Sequence, residues 1–376
     1  MAAALGVLVS CGSVKPGEEV VAASRNSKVV VAYVTSWSEV MPDPQYMTHI
    51  NYAFGHVNES FNGVKIDNEE RLRQIVDLRK QKPELKVLLS IGGWGSGRFS
   101  EMAANDEYRR AFAADCARVV KEFALDGIDI DWEYPTSSMA NISSSPDDTE
   151  NFTLLMQDIR AAIGNEKELT LATVASARYI DFKAILPSVD FVNIMAYDMA
   201  SAPKHHSALY PSGHSGDITS DGAVTAHLKA GVPPSKLVMG MPFYGRGGDG
   251  YPSFQDYNKV GNTDTQYTEK WDEVAQVPYL ADKNDTLVFG FENPRSLAIK
   301  CQYILDKDLL GGMYWDYSGD NEQGDLRRTV AENLLGKPHK AKVLVLTERG
   351  GQHGGFTDAG LRWLAAEGAK GNFSIT

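Results

Sequence analysis

Cysteine is scarce: Cys11, Cys116 and Cys301 are the only three in 376 residues, too few for the disulfide framework of a small secreted scaffold. Cys116 and Cys301 fall in stretches with helical apolar spacing, where a buried thiol is the usual state. Positive charge is also short. The 37 Lys and Arg stand against 49 Asp and Glu, a formal charge of −12 with no basic cluster, and such a surface repels phosphate backbones, so nucleic acid is not an expected partner. No run of 18 apolar residues occurs, which leaves no candidate for a membrane-spanning helix. Glycine is present without a period, which excludes a collagen-like chain. What is there is ordinary globular composition, 43% hydrophobic and 23% charged, at a length that suits one large domain with additions.

From Lys28 onward, short apolar runs alternate with longer amphipathic stretches. The runs are Val29–Val34, His49–Phe54, Lys86–Ile91, Gly127–Trp132, Leu169–Val174, Val189–Ala196, Leu237–Phe243 and Leu310–Trp315. Helix candidates between them are Asn68–Lys80, Asp106–Phe123, Asp148–Ile163, Thr219–Lys229 and Pro294–Asp306. Repeated strand–helix units predict a parallel sheet in an α/β protein. Eight runs suit a (β/α)8 TIM barrel over residues 28–336, although a doubly wound open sheet satisfies the same count. Gly336–Lys340 stops the preceding helix and reads as a linker. Beyond it, Lys342–Leu346 predicts a strand, Gly350–Gly355 a turn and Asp358–Ala369 a helix, one βα unit over 341–376 with no second strand of its own.

The fourth run holds Asp126-Gly127-Ile128-Asp129-Ile130-Asp131-Trp132-Glu133-Tyr134-Pro135. Side chains alternate faces along a strand, so Asp129, Asp131 and Glu133 share one face and Ile128, Ile130 and Trp132 the other. In a barrel the apolar face packs on helices and the acids point inward. Carboxylates crowded in poor solvation cannot all ionise, so at least one is held protonated near neutral pH, which is what a general acid requires.

This segment resembles the Asp-x-x-Asp-x-Asp-x-Glu signature of family 18 glycoside hydrolases. Ser90-Ile91-Gly92-Gly93, Met195-Ala196-Tyr197-Asp198, Met241-Pro242-Phe243-Tyr244-Gly245-Arg246 and Gly312-Met313-Tyr314-Trp315-Asp316 are similar to further family motifs, in barrel order. The resemblance implies retaining, substrate-assisted hydrolysis of β-1,4 bonds in chitin or N-acetylglucosamine oligosaccharides, in which the sugar's own N-acetyl oxygen replaces an enzyme nucleophile. Neither cofactor nor metal is implied. On this basis Glu133 is the acid and then the base, Asp131 holds the acetamido N–H, Asp129 shares a proton with Asp131, and Tyr197 steadies the acetamido carbonyl. Asp198 and Met195 belong to the substrate site, and Trp315 is the floor on which a sugar stacks. Trp94, Tyr134, Tyr244 and Arg246 are expected along the sugar subsites, with Tyr33 and Phe54 at the acetamido pocket.

Some features point elsewhere. His205-His206 has no carboxylate or cysteine nearby at ligand spacing and reads as loop histidines beside the cleft rather than a metal site. Gly247–Phe289 is short for the inserted domain that walls the cleft in many family members, which predicts a shallower cleft and endo-type cleavage. An N-glycan-cleaving endo-β-N-acetylglucosaminidase and a non-catalytic chitin-binding lectin are the competing readings; retention of Glu133 opposes the lectin. Lys342–Gly354 resembles the opening of trehalose-utilisation-type domains, of glutamine-amidotransferase, flavodoxin-like fold, and implies a truncated unit. Leu8-Val9-Ser10-Cys11 resembles a bacterial lipobox, which implies a signal and linker over 1–27, lipidation of Cys11 and export to the bacterial cell envelope with anchoring to its membrane; separately, a monomer is expected.

Overall fold

The computed structural model describes residues 28–248, 250–260 and 266–336, and the backbone of two short strands at 341–343 and 373–375. Eight parallel strands, β1 (Val29–Thr35), β2 (His49–Val57), β3 (Lys86–Gly92), β4 (Gly127–Asp131), β5 (Glu168–Val174), β6 (Phe191–Met195), β7 (Leu237–Pro242) and β8 (Gly311–Trp315), follow one another in space as in sequence. Pairing of Val29 with Gly311 and of Val31 with His49 closes the sheet through β1. The molecule is therefore a (β/α)8 barrel, and the open doubly wound alternative is excluded. An antiparallel strand at Val64–Ile66 extends the edge of β2.

The helices are α1 (Glu69–Val76), α2 (Phe99–Ala104), α3 (Asp106–Glu122), α4 (Asp148–Ile163), α5 (Phe182–Ile185), α6 (Ser220–Lys229), α7 (Pro294–Asp306) and α8 (Asp325–Leu334). Their ends carry local signals. Asn105 caps α3 by accepting from the amides of Glu107 and Tyr108, and Asn293 forms a capping box with Ser296 while Pro294 supplies the first helical position of α7, each satisfying amides that the helix leaves unbonded. The outward face of β4 packs as its alternation requires: Trp132 stacks on Phe99 at 5.3 Å and lies 6.0 Å from Phe152. Cys116 and Cys301 are buried free thiols.

The chain after β7, short for an inserted domain, still builds a sheet of its own. Tyr244–Gly247, Gln255–Asp256, Thr268–Asp272, Val277–Ala281 and Leu287–Gly290 form a five-stranded antiparallel sheet with its own small core of Leu280, Val288, Phe289 and Phe291. A fully buried ion pair, Lys300 of α7 with Glu292, follows this sheet, and both groups also bond Ser207 from the loop after β6. Charges so desolvated are retained only when paired and hydrogen-bonded.

Contacts divide the chain into Met1–Leu335 and Gly336–Thr376. In the second unit, Ala341–Val343 runs parallel to Phe373–Ile375. A second strand therefore exists where none was expected, because Phe373–Ile375 is too short to show a periodicity. Leu344–Leu346, the glycine-rich turn and the helix expected over Asp358–Ala369 lie outside the described residues, as does Cys11. All eight barrel strands end before residue 336, so truncation after Gly336 is expected to leave hydrolytic activity unchanged. Steady-state rates of the two chains on one substrate check this, and a loss of activity would show that the tail contributes to the site.

Candidate active site

In a (β/α)8 barrel, side chains at the C-terminal strand ends converge on one face, and the register of β4 decides what meets what. Asp129 lies beside Ser90 of β3 and Thr170 of β5, and both hydroxyls donate to its carboxylate, at 2.8 and 2.5 Å. Tyr33 of β1 donates across the barrel at 2.9 Å and Asn193 of β6 at 3.3 Å. Asp129 is fully buried. Burial raises its pKa and these four donors oppose the rise, since hydrogen bonds to the charged form favour it.

Asp131, one strand period nearer the mouth, has its side-chain Oδ1 buried without a hydrogen-bond partner among the described residues. Asp129, deeper in the barrel, is engaged by Tyr33, Ser90, Thr170 and Asn193. Burial first, then the charges of Glu133 and Asp129, push Asp131 well above the usual carboxylate range. Two glycines set its position. Gly92 has φ +132°, and a Cβ there would sit 1.9 Å from the Asp131 carbonyl oxygen. The Gly93 amide donates to that oxygen at 2.8 Å, and a Cβ on Gly93 would strike the Phe54 ring at 2.6 Å. Only glycine permits both this backbone and this approach.

Glu133 stands just past the end of β4, 9% exposed. Burial lifts its carboxyl to about 7, the Asp198 charge adds to the rise, and the Tyr134 hydroxyl opposes it. Such a group is protonated over much of the neutral range and can give and retake a proton. Tyr197, after β6, is held far above its ordinary pKa by burial and by Asp131 and Glu133, so it remains a hydroxyl donor; its oxygen lies 3.9 Å from the Met313 sulfur. Asp198 accepts a two-pronged pair from Arg246, at 2.7 and 2.6 Å. Burial works to raise its pKa, but Arg246 and His206 hold it below the usual carboxylate range.

The cleft above these groups has a volume of about 790 Å³ and is lined by Asp131, Glu133, Tyr33, Phe54, Trp94, Tyr134, Met195, Tyr197, Asp198, Tyr244, Arg246 and Trp315. Every residue singled out from the sequence inside the barrel is therefore brought to one place, with Asp129 directly beneath. Trp315 forms the aromatic floor, with Phe54 stacked against it at 5.6 Å and Tyr33 at 5.7 Å. Arg246 is committed to Asp198 rather than free. His205 and His206 lie buried behind the cleft, not along it. His205 Nε2 sits 3.2 Å from Asp272, which comes from the inserted sheet, and His206 Nδ1 sits 3.4 Å from Asp198.

Sequence reasoning missed Trp37, Met139, Arg178, Tyr179 and Phe254 on the cleft wall. Trp37 is 64% exposed and lies 6.4 Å from Trp315. Its signal was available: it follows β1 by two residues, where barrel sites form. Tyr179 stacks on Tyr134 at 5.5 Å, and Phe254 on Tyr244 at 4.7 Å. These two sit on a loop and on the inserted segment, where no periodicity points to the cleft.

Residues 29–320 match the model of the family described as Glycosyl hydrolases family 18. Among characterised relatives, chitinase A1 of Niallia circulans is 29% identical over 85% of this chain and 60% of its own length. Chitotriosidase-1 of Mus musculus is 31% identical, over 78% of this chain and 74% of its own. This chain thus spans about three-fifths of the length of the first of these relatives and three-quarters of the second. Of solved structures, a family 18 N-acetylglucosaminidase from Paenibacillus barengoltzii superposes with a TM-score of 0.75 at 32% identity, covering 81% of this chain and 99% of that one. The Group IV chitinase of Ostrinia furnacalis gives 0.75 at 28%, covering 82% and 100%. A closed barrel, an acid ladder on β4 and a match spanning all eight strands lead to the same place: the chain belongs to family 18 of the glycosyl hydrolases.

Proposed function

We propose that this protein cleaves β-1,4 bonds in chitin or N-acetylglucosamine oligosaccharides by a substrate-assisted, retaining route. The observation that carries the reading is the pairing of a protonatable Glu133 with an unpartnered Asp131 oxygen at one end of β4. An unpaired buried carboxylate oxygen is costly; an acetamido N–H entering the cleft gives it a donor. That contact turns the acetamido oxygen toward the anomeric carbon, and Asp131 then offsets the positive charge of the cyclised intermediate. Glu133 protonates the departing glycosidic oxygen, and the resulting carboxylate draws a proton from the water that opens the ring. Tyr197 donates to the acetamido oxygen, and Trp315 presents an aromatic plane to the apolar face of the pyranose.

The test is to incubate the protein with chitin oligomers and with an N-glycosylated protein in parallel and to identify the products. Shortened chitin oligomers are expected. Release of glycans with no action on the oligomers would make the substrate the chitobiose core instead, and tight binding of oligomers without hydrolysis would make the protein a lectin. We propose further that Cys11 is lipidated and holds the protein at the bacterial cell envelope, on the strength of Leu8-Val9-Ser10-Cys11. Cys11→Ser is then expected to move the protein from the membrane fraction to the soluble one.

A further inference from the structure

The end of β2, the edge strand Val64–Ile66 and the turn after β3 bring a histidine, an aspartate and a serine into one chain of hydrogen bonds. His56 Nδ1 lies 2.8 Å from Ser96 Oγ, and its Nε2 lies 2.9 Å from Asp67 Oδ2. Each member is set by its own backbone. A bulge between Ala53 and Gly55 re-aims the last residues of β2, His56 among them. Ile66 pairs with Gly55; the Asp67 amide then donates to the Phe54 carbonyl at 3.1 Å, and the Asp67 carbonyl accepts from the Tyr52 hydroxyl at 2.9 Å. Ser96 closes a turn in which its amide donates to the Gly93 carbonyl at 2.9 Å and Gly95 takes φ +83°. None of the three lines the catalytic cleft, and the glycosidase chemistry uses none of them.

The roles follow from donor and acceptor chemistry. The Asp67 carboxylate accepts only, so the ring proton sits on Nε2, and Nδ1 presents its lone pair to the Ser96 hydroxyl. A hydroxyl bonded to a base that a third group orients is the arrangement that activates a weak nucleophile. It is recognised by geometry and not by chain order. The ring offers Nδ1 to the serine in place of the commoner Nε2; the chemistry needs only that one nitrogen face each partner. Gly97 follows the serine, where acyl-transfer sites take an oxyanion donor, and its amide is spent on no backbone carbonyl among the described residues. A Cβ on Gly97 would meet nothing nearer than Ile142 at 3.7 Å, and one on Gly95 nothing nearer than 3.9 Å. The space over this turn is therefore open to a small acyl group, with Ile142 as an apolar wall. The side chains of His56 and Asp67 are 29% and 39% exposed, within reach of a ligand from solvent.

We infer that Ser96, His56 and Asp67 form a second hydrolytic site, one that cleaves carboxylic esters of short acyl groups. Ser96 Oγ bonds to the acyl carbon as its proton passes to His56 Nδ1, and negative charge gathers on the former carbonyl oxygen beside the Gly97 amide. Collapse breaks the bond to the alcohol oxygen, which takes the proton from His56 and leaves as the free alcohol. Water then adds to the acyl-serine and gives a proton to His56; as the carboxylic acid departs, Ser96 Oγ recovers that proton. Ester and water become acid and alcohol with no other reactant. Ser96 and His56 are the catalytic residues, and Asp67 is a positioning residue that acts through the ring.

The experiment uses the full chain, p-nitrophenyl acetate as substrate and a fluorophosphonate as serine probe, with Ser96→Ala, His56→Gln and Asp67→Asn as variants. The parent is expected to turn over the ester and to carry the phosphonyl group on the peptide that contains Ser96, located by mass spectrometry. Ser96→Ala is expected to lose both label and ester cleavage, while its rate on chitin oligomers stays within about twofold of the parent. His56→Gln should lower kcat on the ester by about 10²-fold or more. Asp67→Asn donates where Asp67 accepts and turns the ring to the wrong tautomer; kcat is expected to fall by about 10²-fold with KM and melting temperature little changed, a split that a merely structural role would not give. Should Asp67→Asn fail to fold, Ser96→Ala, which removes a single oxygen atom, still decides. Equal ester cleavage by the parent and Ser96→Ala, or no label on Ser96, would overturn the site and leave the three residues as a fastening between β2 and the turn after β3. The ester assay stands whether or not chitin oligomers are cut.

Discussion

Glu133→Gln is expected to lower kcat on chitin oligomers by roughly 10²–10⁴-fold or more, the usual worth of a positioned general acid, while oligomer affinity changes little. The amide fills the same space but has no proton to deliver to the leaving oxygen. The parent's pH profile should carry the same signature. With the carboxyl lifted to about 7 by burial and by Asp198, kcat/KM is expected to fall as pH rises through about 7, as Glu133 loses the proton it must donate. Stability moves the opposite way in the variant. The folded carboxyl titrates at about 7 against an ordinary 4.5, so below about 4.5 both folded and unfolded chains hold the proton and burial of Glu133 brings no charge penalty. Above about 7 the fold holds a buried charge, a penalty of about 3 kcal/mol by linkage. Glu133→Gln should therefore melt higher than the parent at about pH 8 and at the same temperature at about pH 4.5. Activity above about a tenth of the parent would remove Glu133 from the acid's role.

The second large effect is expected at Asp131. Its Oδ1 is buried with no donor, and once ionised its carboxylate stands beside Glu133 on the same strand face, where it can offset the charge of a positive intermediate. Asp131→Asn keeps an oxygen that can accept the acetamido N–H but removes the charge, and loss of one such electrostatic group typically costs about 10²–10³-fold in kcat. KM should change far less. The substituted amide also brings two N–H donors into a site that presents none at this position, so the acetamido group is bound less often in the orientation that cyclises. If the variant lost affinity rather than kcat, Asp131 would be a binding contact and not a stabiliser of the intermediate.

Much of the fold and site is legible in the sequence, for a physical reason. Strand alternation puts Asp129 and Asp131 on one face and Ile128 and Ile130 on the other, and a closed parallel barrel has only one interior toward which those acids can point. The strand count and the apolar runs follow from burial on both faces. What stays hidden depends on through-space arrangement. That Asp129 is engaged by four donors from four other strands is a matter of register, which linear spacing does not show. The partner of Arg246 is invisible because Asp198 lies 48 residues away. The inserted sheet resembles a connection because its strands are short and turn-rich, and Phe254 on the cleft wall is hidden with it. A loop position says nothing about depth, so the burial of His205 and His206, which comes from packing against Tyr279 and Tyr244, leaves no trace in the local sequence.

The most direct test of the mechanism is the anomeric form of the first product, followed by proton NMR in the earliest stage of chitooligosaccharide cleavage, before mutarotation scrambles it. Acetamido participation displaces the leaving group from one face and admits water from that same face, so the new reducing ends are predicted to appear as the β anomer and only later to equilibrate. Early appearance of the α anomer would mean a single direct attack by water, and would contradict the roles of Asp131 and of the substrate's own N-acetyl group in the reaction.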